Sequence, residues 1–208
     1  MDREEVSMKI EYKVLCSEGN QQRIDNVNIM KGSIPTLHVT MSGMDGLFER
    51  FINLFNLEED SDGIVQLEDD VQLCKNFQKR CEDLIATRPN EVISMFESAC
   101  SKKPLHSEYR NGRVFAWNQC NYYPKFVCDV LKQEENVKEF KEWYWKHYTT
   151  WTFPEDTYIA FTLNKMKLKY WMEVPFLVQH QAFPSALGPR PCNRQSKYFI
   201  DDVEAKND

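Results

Sequence analysis

The fold and the candidate site both follow from one short stretch of the chain, residues 64–70, which reads IVQLEDD. Its first four residues form an apolar run with the length of a short buried strand, and three acids follow without a break. Adjacent carboxylates repel one another, and burial raises their pKa values unless a cation compensates the charge. Mg²⁺ or Mn²⁺ provides that compensation through oxygen ligands and also bridges to substrate phosphates. The alternative is a solvated acidic turn, which suits the neighbouring acids at 58–62.

Outward from this stretch, strand-like and helix-like segments alternate along the chain. Candidate strands lie at 11–16, 36–41, 64–67, 91–97, 113–117 and 170–178, and candidate helices at 21–30, 47–55, 77–87, 124–133, 134–147 and 157–167. The alternation predicts an α/β fold with a mixed, largely parallel sheet flanked by helices. Because ligands of such folds bind at the carboxyl ends of the strands, the acids at the end of 64–67 mark the place to look.

Length and composition limit the alternatives. A chain of 208 residues predicts a single domain, 1–208, with an irregular tail from about residue 181. Seven scattered cysteines without a Cys-x-x-Cys pair predict reduced thiols rather than a zinc site or disulfide framework. The sequence contains neither an apolar run of about 18 residues nor a signal-like start. We therefore expect a soluble protein without a membrane partner in the cytoplasm, or in the host cytoplasm if the source is viral.

The segment 65–71, VQLEDDV, resembles the DxD-type motif of GT-A-fold glycosyltransferases. In that family the motif binds a metal ion that holds the diphosphate of the nucleotide-sugar donor. The resemblance implies that Asp70 is the metal-binding acid, with Asp69 as the other candidate ligand. It also implies that Glu68 or Asp69 contacts the sugar or ribose of the donor.

Two later elements extend the resemblance. Pro154-Glu155-Asp156 resembles the acidic element of inverting GT-A enzymes, in which the Asp, here Asp156 beside Glu155, removes the proton of the acceptor hydroxyl. His180 follows a candidate strand, where these enzymes often place a metal-ligating histidine. The alternatives are helix capping by the two acids and a structural histidine.

The remaining expectations concern the residues that bind the donor and the acceptor. The turn after the first strand and the basic tail suggest donor-binding residues: Ser17, Gly19, Arg23, Arg190 and Arg194. Arg pairs bidentately with phosphate, whereas the alternative for the tail is a solvated segment. The end of the candidate strand 113–117 suggests acceptor-binding residues: Trp117, Asn118 and Gln119.

The resemblance extends over residues 8–202 and is to the small glycosyltransferases of bacteriophages and large DNA viruses. It implies a Mn²⁺- or Mg²⁺-dependent, inverting enzyme that transfers glucose from UDP-glucose. The acceptor that it suggests is a 5-hydroxymethylpyrimidine in DNA, with a glycan or a virion protein as the alternative. A nucleotidyltransferase or phosphohydrolase and a non-enzymatic binding module with an acidic face also remain open.

A DNA acceptor also rests on a possible basic and aromatic rim. Its members are Lys125, Lys141, Lys146, Lys165, Lys167, Lys169 and Lys197, among Tyr122, Tyr123, Trp143, Trp145 and Tyr170. Lysines neutralise phosphates and aromatic rings stack on exposed bases. The net charge of −6 and the acids that accompany several of these lysines favour an ordinary solvated surface instead.

Overall fold

A computed structural model describes residues 8–43, 46–97, 106–115, 118–148, 155–181, 183 and 195–200. Its strands are β1 (Ile10–Ser17), β2 (His38–Ser42), β3 (Gly63–Glu68), β4 (Val71–Leu73), β5 (Val92–Ser94), β6 (Glu108–Asn111), β7 (Cys120–Pro124), β8 (Lys169–Met172) and β9 (Val178–His180). Its helices are α1 (Gln21–Ser33), α2 (Leu47–Asn53), α3 (Phe77–Thr87), α4 (Lys125–Leu131), α5 (Glu134–His147) and α6 (Glu155–Lys165). One 3₁₀ turn covers Gly112–Val114.

Seven strands form one mixed sheet in the order β2-β1-β3-β7-β5-β8-β6. The pairs β2-β1, β1-β3 and β5-β8 are parallel, whereas β7 and β6 run antiparallel to their neighbours. Five of the seven strands therefore point the same way, and the predicted α/β class with a mostly parallel sheet is confirmed. Strands β4 and β9 form a separate antiparallel pair beside the carboxyl end of β3.

Helices cover both faces of the sheet, and each face has its own apolar core. Helices α1 and α3 pack on one face together with Val65 and Leu67 of β3. Helices α2, α4, α5 and α6 pack on the other face around Ile64, with Phe140 stacked on Phe48 at a centroid distance of 5.6 Å. The alternation of side chains along β3 produces this division and leaves its carboxyl end at the rim of both cores.

Two helices, Phe77–Thr87 and Glu134–His147, have the predicted bounds, whereas the other segments differ in their bounds and two of them differ in kind or are divided. The candidate strand 113–117 is wrong where the structure describes it, because Gly112–Val114 form a 3₁₀ turn capped by the side chain of Asn111. The strand instead begins at Cys120 and ends at Pro124, where α4 starts. The candidate strand 170–178 is split into β8 and β9 around Pro175, since proline cannot donate to a ladder.

The final described segment is anchored rather than free. Phe199 forms a parallel bridge with Phe176, and the amide of Ser196 donates to Gln179 Oε1 at 2.7 Å. Residues 195–200 contain no helix or strand, and most of the predicted irregular tail from about residue 181 lies outside the described residues. Among the described helices, none has the length and apolarity needed to cross a bilayer.

Candidate functional site

The acids that follow β3 form a tight turn into β4, and the carboxylate of Asp69 faces the interior. Asp69 is 2% exposed. Its Oδ2 accepts a hydrogen bond from the amide of Ser17 at 2.7 Å, and its Oδ1 accepts one from Nη1 of Arg23. Both oxygens of Asp69 are therefore engaged within the protein.

Asp70 is also buried, but one of its oxygens is not engaged. Oδ2 accepts a hydrogen bond from Nη2 of Arg23 at 2.8 Å and lies 3.4 Å from Nε2 of His180. In the described part of the chain, Oδ1 has no hydrogen-bond partner. Burial opposes ionisation of Asp70, yet the contacts with His180 and Arg23 outweigh it and hold the pKa of Asp70 below its usual value. Asp70 is thus held as a carboxylate, and its buried Oδ1 is the one carboxylate oxygen of the two aspartates that accepts no hydrogen bond in the described part of the chain.

The pairing of β4 with β9 explains how His180 reaches this site. Val71 lies opposite His180 in the ladder, and the amide of Gln181 donates to the carbonyl of Asp70 at 2.7 Å. The structure therefore brings together Asp70 and His180, the two predicted metal ligands, although they are far apart in sequence.

Asn26 of α1 fixes the same turn from the other side, and sequence reasoning missed it. Its Nδ2 donates to the carbonyls of Asp69 and Val71 at 2.9 and 2.8 Å. Its Oδ1 accepts from Nε2 of Gln181 at 2.6 Å. A sequence offers no signal for this residue, because a polar side chain inside a helix more often faces solvent.

Glu68, the last residue of β3, lies on the face that α6 covers. Nε2 of Gln119 donates to its Oε2 at 3.1 Å. Desolvation is the largest cause that raises the pKa of Glu68 well above its usual value, followed by the charges of Asp70, Glu155 and Asp69. The acidic start of α6 is therefore close enough to act electrostatically on the end of β3.

Substitution of Glu68 by Gln is expected to stabilise the metal-free protein at neutral pH. A carboxyl whose pKa is raised by folding contributes stability at low pH, and this is lost as the pH rises from about 4.3 through the folded pKa. Glu68→Gln removes the loss and retains an acceptor for Gln119. Thermal unfolding in EDTA should show a gain of about 2–4 °C per kcal/mol of repulsion removed, and the gain should grow as the pH rises from about 4.3 toward the raised pKa of Glu68. The exposed Glu59→Gln is the control, and a Glu68→Gln variant that melts below wild type at pH 8 would contradict the expectation.

The start of α6 carries both predicted catalytic acids. Glu155 and Asp156 lie in its first turn, and the amide of Thr157 donates to Asp156 Oδ1 at 2.7 Å. Burial is the main cause that raises the pKa of Tyr123, and the charges of Asp156 and Glu68 contribute to it. Tyr123 of β7 thus lies within electrostatic range of Asp156 and of Glu68. Helix α6 therefore begins at the same rim at which β3 ends.

The predicted acceptor residues Asn118 and Gln119 lie at this rim, but their position in the secondary structure differs from the prediction. Asn118 and Gln119 precede β7 instead of ending a strand, and β7 is antiparallel, so its beginning lies beside the end of β3, with Cys120 opposite Leu67. Both are buried. Asn118 Oδ1 accepts from Tyr123 Oη at 3.3 Å.

Some of the predicted donor-binding residues lie in the described part of the structure, and the others lie outside it. Gly19 forms the turn after β1 with φ of +77°, a conformation that favours glycine. Arg23 was predicted as a donor-binding residue behind the turn that holds the nucleotide, and in the structure its guanidinium contacts Asp69 and Asp70. Arg190 and Arg194 of the predicted donor residues, and Trp117 of the predicted acceptor residues, lie outside the described residues.

The predicted basic and aromatic rim is wrong in part. Tyr122 and Tyr123 are fully buried and Tyr170 is 5% exposed, so their rings cannot stack on a base. Lys141 pairs with Glu49 at 3.0 Å and Lys165 pairs with Glu139. Trp145 remains exposed, but these pairs are typical of an ordinary solvated helix surface.

The described residues contain no group of three or more His, Cys, Asp or Glu side chains arranged to enclose a metal ion. Mg²⁺ and its relatives are often held by one or two carboxylates plus substrate phosphates instead of an all-protein cage. Asp70, with its unpartnered Oδ1, and the adjacent His180 fit such a partial site. Asp69 fits it less well, because both of its oxygens already accept hydrogen bonds.

Comparison with known proteins identifies a shared fold only. No family model matches the chain, and no curated protein matches it. Among solved structures, the crystal structure of A197 from STIV is similar over 92% of this chain and 96% of that chain, with a TM-score of 0.52 and 9% sequence identity. At this identity the likeness concerns the architecture and carries no function.

Proposed function

We propose that this protein is a metal-dependent, inverting glycosyltransferase of the GT-A type, which transfers a sugar from a UDP-sugar, with UDP-glucose as the first candidate, to a hydroxyl acceptor. One observation carries the proposal. The buried acids after β3, the histidine that ends β9 and the acidic first turn of α6 all lie at the rim where the parallel strands end. Ligands of open α/β sheets bind at that rim.

In the proposed reaction, the chain's own residues orient the donor and move one proton. Asp70 and His180 would hold the divalent cation, which when bound neutralises diphosphate charge and stabilises the leaving group. Asp156 accepts the proton of the acceptor hydroxyl as its oxygen attacks the anomeric carbon. The bond between that carbon and the diphosphate oxygen breaks, UDP leaves with the electron pair, and attack from the opposite face inverts the anomeric configuration.

Glu68 and Gln119 extend the site on the α6 side. Their hydrogen bond places a carboxyl and an amide beside Asp69 and Asp70, the turn that follows β3. Carboxylates and amides are suitable partners for sugar hydroxyls because together they offer donors and acceptors. We assign this pair to the sugar moiety of the donor.

The test is donor hydrolysis by EDTA-treated protein across a panel of nucleotide sugars, with and without Mn²⁺. We expect release of the nucleoside diphosphate from one donor, only with metal, and thermal stabilisation by the same nucleotide. Turnover of nucleoside triphosphates instead would favour a nucleotidyltransferase or phosphohydrolase. Absence of both hydrolysis and stabilisation would favour the binding module.

The acceptor is tested in the same reaction. Labelled donor is incubated with DNA containing 5-hydroxymethyluracil or 5-hydroxymethylcytosine, with unmodified DNA, and with glycan and protein acceptors. Label in the modified DNA alone supports the DNA acceptor. Robust donor hydrolysis without labelled DNA favours a glycan or protein acceptor, in agreement with the burial of the three tyrosines.

A further inference from the structure

Arg23 bridges the two aspartates of the acidic turn. Its Nη1 donates to Asp69 and its Nη2 donates to Asp70, so that one planar guanidinium joins both carboxylates. Arg23 is 8% exposed and Asp70 is 4% exposed. The charge of Arg23 is therefore a permanent buried cation at the acidic turn, in a position where a metal ion is expected to provide compensation.

The turn is also held in place without any metal. Backbone groups of Ser17 and Gln181 and the side chain of Asn26 hold Asp69 and Asp70 from three sides. A metal ion is thus not required to assemble the acidic turn. The oxygen of Asp70 that no described group engages is Oδ1, which is buried, and His180 Nε2 lies 3.4 Å from the other oxygen, Oδ2.

A divalent cation that approaches Asp70 in the free protein meets the guanidinium on the other oxygen of the same carboxylate. Like charges this close repel strongly where water is largely excluded. A nucleoside diphosphate brings negative charges that offset this repulsion and supplies the missing oxygen ligands. Two ligands that each improve the site for the other bind cooperatively.

We propose that Arg23 is a positioning residue that makes metal binding conditional on the diphosphate. In the free protein Arg23 takes the role of the cation, and the metal binds tightly only together with the nucleotide. This inference rests on the proposed function, since it concerns the same donor site. In the sequence prediction Arg23 belongs to the donor-binding turn, whereas here it acts through Asp69 and Asp70.

The first test uses the wild-type protein and Mn²⁺, with the free ion followed by electron paramagnetic resonance. Mn²⁺ is titrated alone and with saturating UDP, GDP, ADP or CDP, against the same mixtures without protein. We expect the affinity for Mn²⁺ to rise at least about tenfold with one nucleotide, within the usual range of coupling between sites. By linkage, Mn²⁺ should raise the affinity for that nucleotide by the same factor.

The second test uses Arg23→Gln, with Arg23→Lys as the conservative variant. Arg23→Gln should melt below wild type in EDTA, because two buried carboxylates lose their partner, and Mn²⁺ alone should restore the melting temperature. Arg23→Lys keeps the charge and should keep the dependence on nucleotide. Arg88→Gln removes another arginine that pairs with a carboxylate, Glu91, at 3.0 Å, and should leave Mn²⁺ binding unchanged.

The outcomes separate this inference from the proposed function. Equally tight Mn²⁺ binding with and without nucleotide in wild type would overturn the role of Arg23 and leave the glycosyltransferase proposal standing. Mn²⁺ that fails to stabilise a folded Arg23→Gln would also overturn it, and would leave Arg23 a purely structural role. If wild type binds neither Mn²⁺ nor any nucleotide in any combination, both proposals fail. Even if Arg23→Gln does not fold, the wild-type titration can overturn the inference, whereas a positive result is assigned to Arg23 only through the variants.

Discussion

Asp70→Asn is expected to abolish sugar transfer, with a loss of at least about 10²–10³ in turnover, the scale seen when a preorganised electrostatic group is removed. The variant keeps the shape of the side chain but loses the charge that the metal and diphosphate need. Asp70 has an oxygen without a hydrogen-bond partner in the described structure and lies beside His180. Transfer at saturating donor and Mn²⁺ is the measurement, and circular dichroism verifies that the variant is folded.

Asp69→Asn provides the contrast that identifies the ligand. Both oxygens of Asp69 accept hydrogen bonds from Ser17 and Arg23, so this substitution should lower stability more than it lowers activity at saturating metal. Asp83→Asn, which removes an exposed carboxylate paired with Lys79, is the control for loss of an acid. If Asp70→Asn keeps wild-type activity while Asp69→Asn loses it, the assignment of the ligand is reversed. If neither variant loses activity after EDTA treatment, metal dependence through this turn is wrong.

The parts of the fold that the sequence predicts well are those with a strong local period. Phe77–Thr87 and Glu134–His147 match the predicted helices, because apolar residues recur on one face of each. Strand β3 is predicted within one residue at each end, since an apolar run ends abruptly at acids. These signals lie within a few residues of one another and need no knowledge of the tertiary structure.

Strand β7 was missed because it has no alternation to detect. All five of its residues are buried, from Cys120 to Pro124, so polar Asn121 and apolar Tyr122 are equally interior. Periodicity identifies a strand only when one face meets water. The antiparallel direction of β7, which brings Gln119 to Glu68, had no local signal either.

The sequence points to candidate site residues directly where acids stand in adjacent positions, and it points to His180 only through the resemblance, because the contact with Asp70 is distant in sequence. The acids after β3 and the acids that begin α6 are visible as short runs. The pairing of β4 with β9, which joins Asp70 to His180, depends on a three-residue strand with a partner more than 100 residues away. Arg23 was predicted as a donor-binding residue, and its contacts with Asp69 and Asp70 were missed because these partners lie 46 and 47 residues along the chain.

Asp156→Asn is expected to reduce turnover by about 10² to 10⁴, the usual contribution of a general base, while leaving donor affinity nearly unchanged. The reason is that the proton of the acceptor hydroxyl has no acceptor of comparable basicity once the carboxylate is replaced. The measurement is the rate of transfer at saturating donor and acceptor, together with donor binding by thermal shift.

Glu155→Gln is the matched control for this prediction, because both acids lie in the first turn of α6. Either substitution removes one charge from the positive end of the helix dipole, which costs about 0.3–1 kcal/mol. A role limited to the helix start therefore predicts the same modest loss of stability in both variants and similar rates. A general base predicts a loss of turnover in Asp156→Asn that far exceeds that in Glu155→Gln. If Asp156→Asn loses donor affinity in proportion to its rate, Asp156 belongs to the donor site, and the base must be sought among the other groups at the rim.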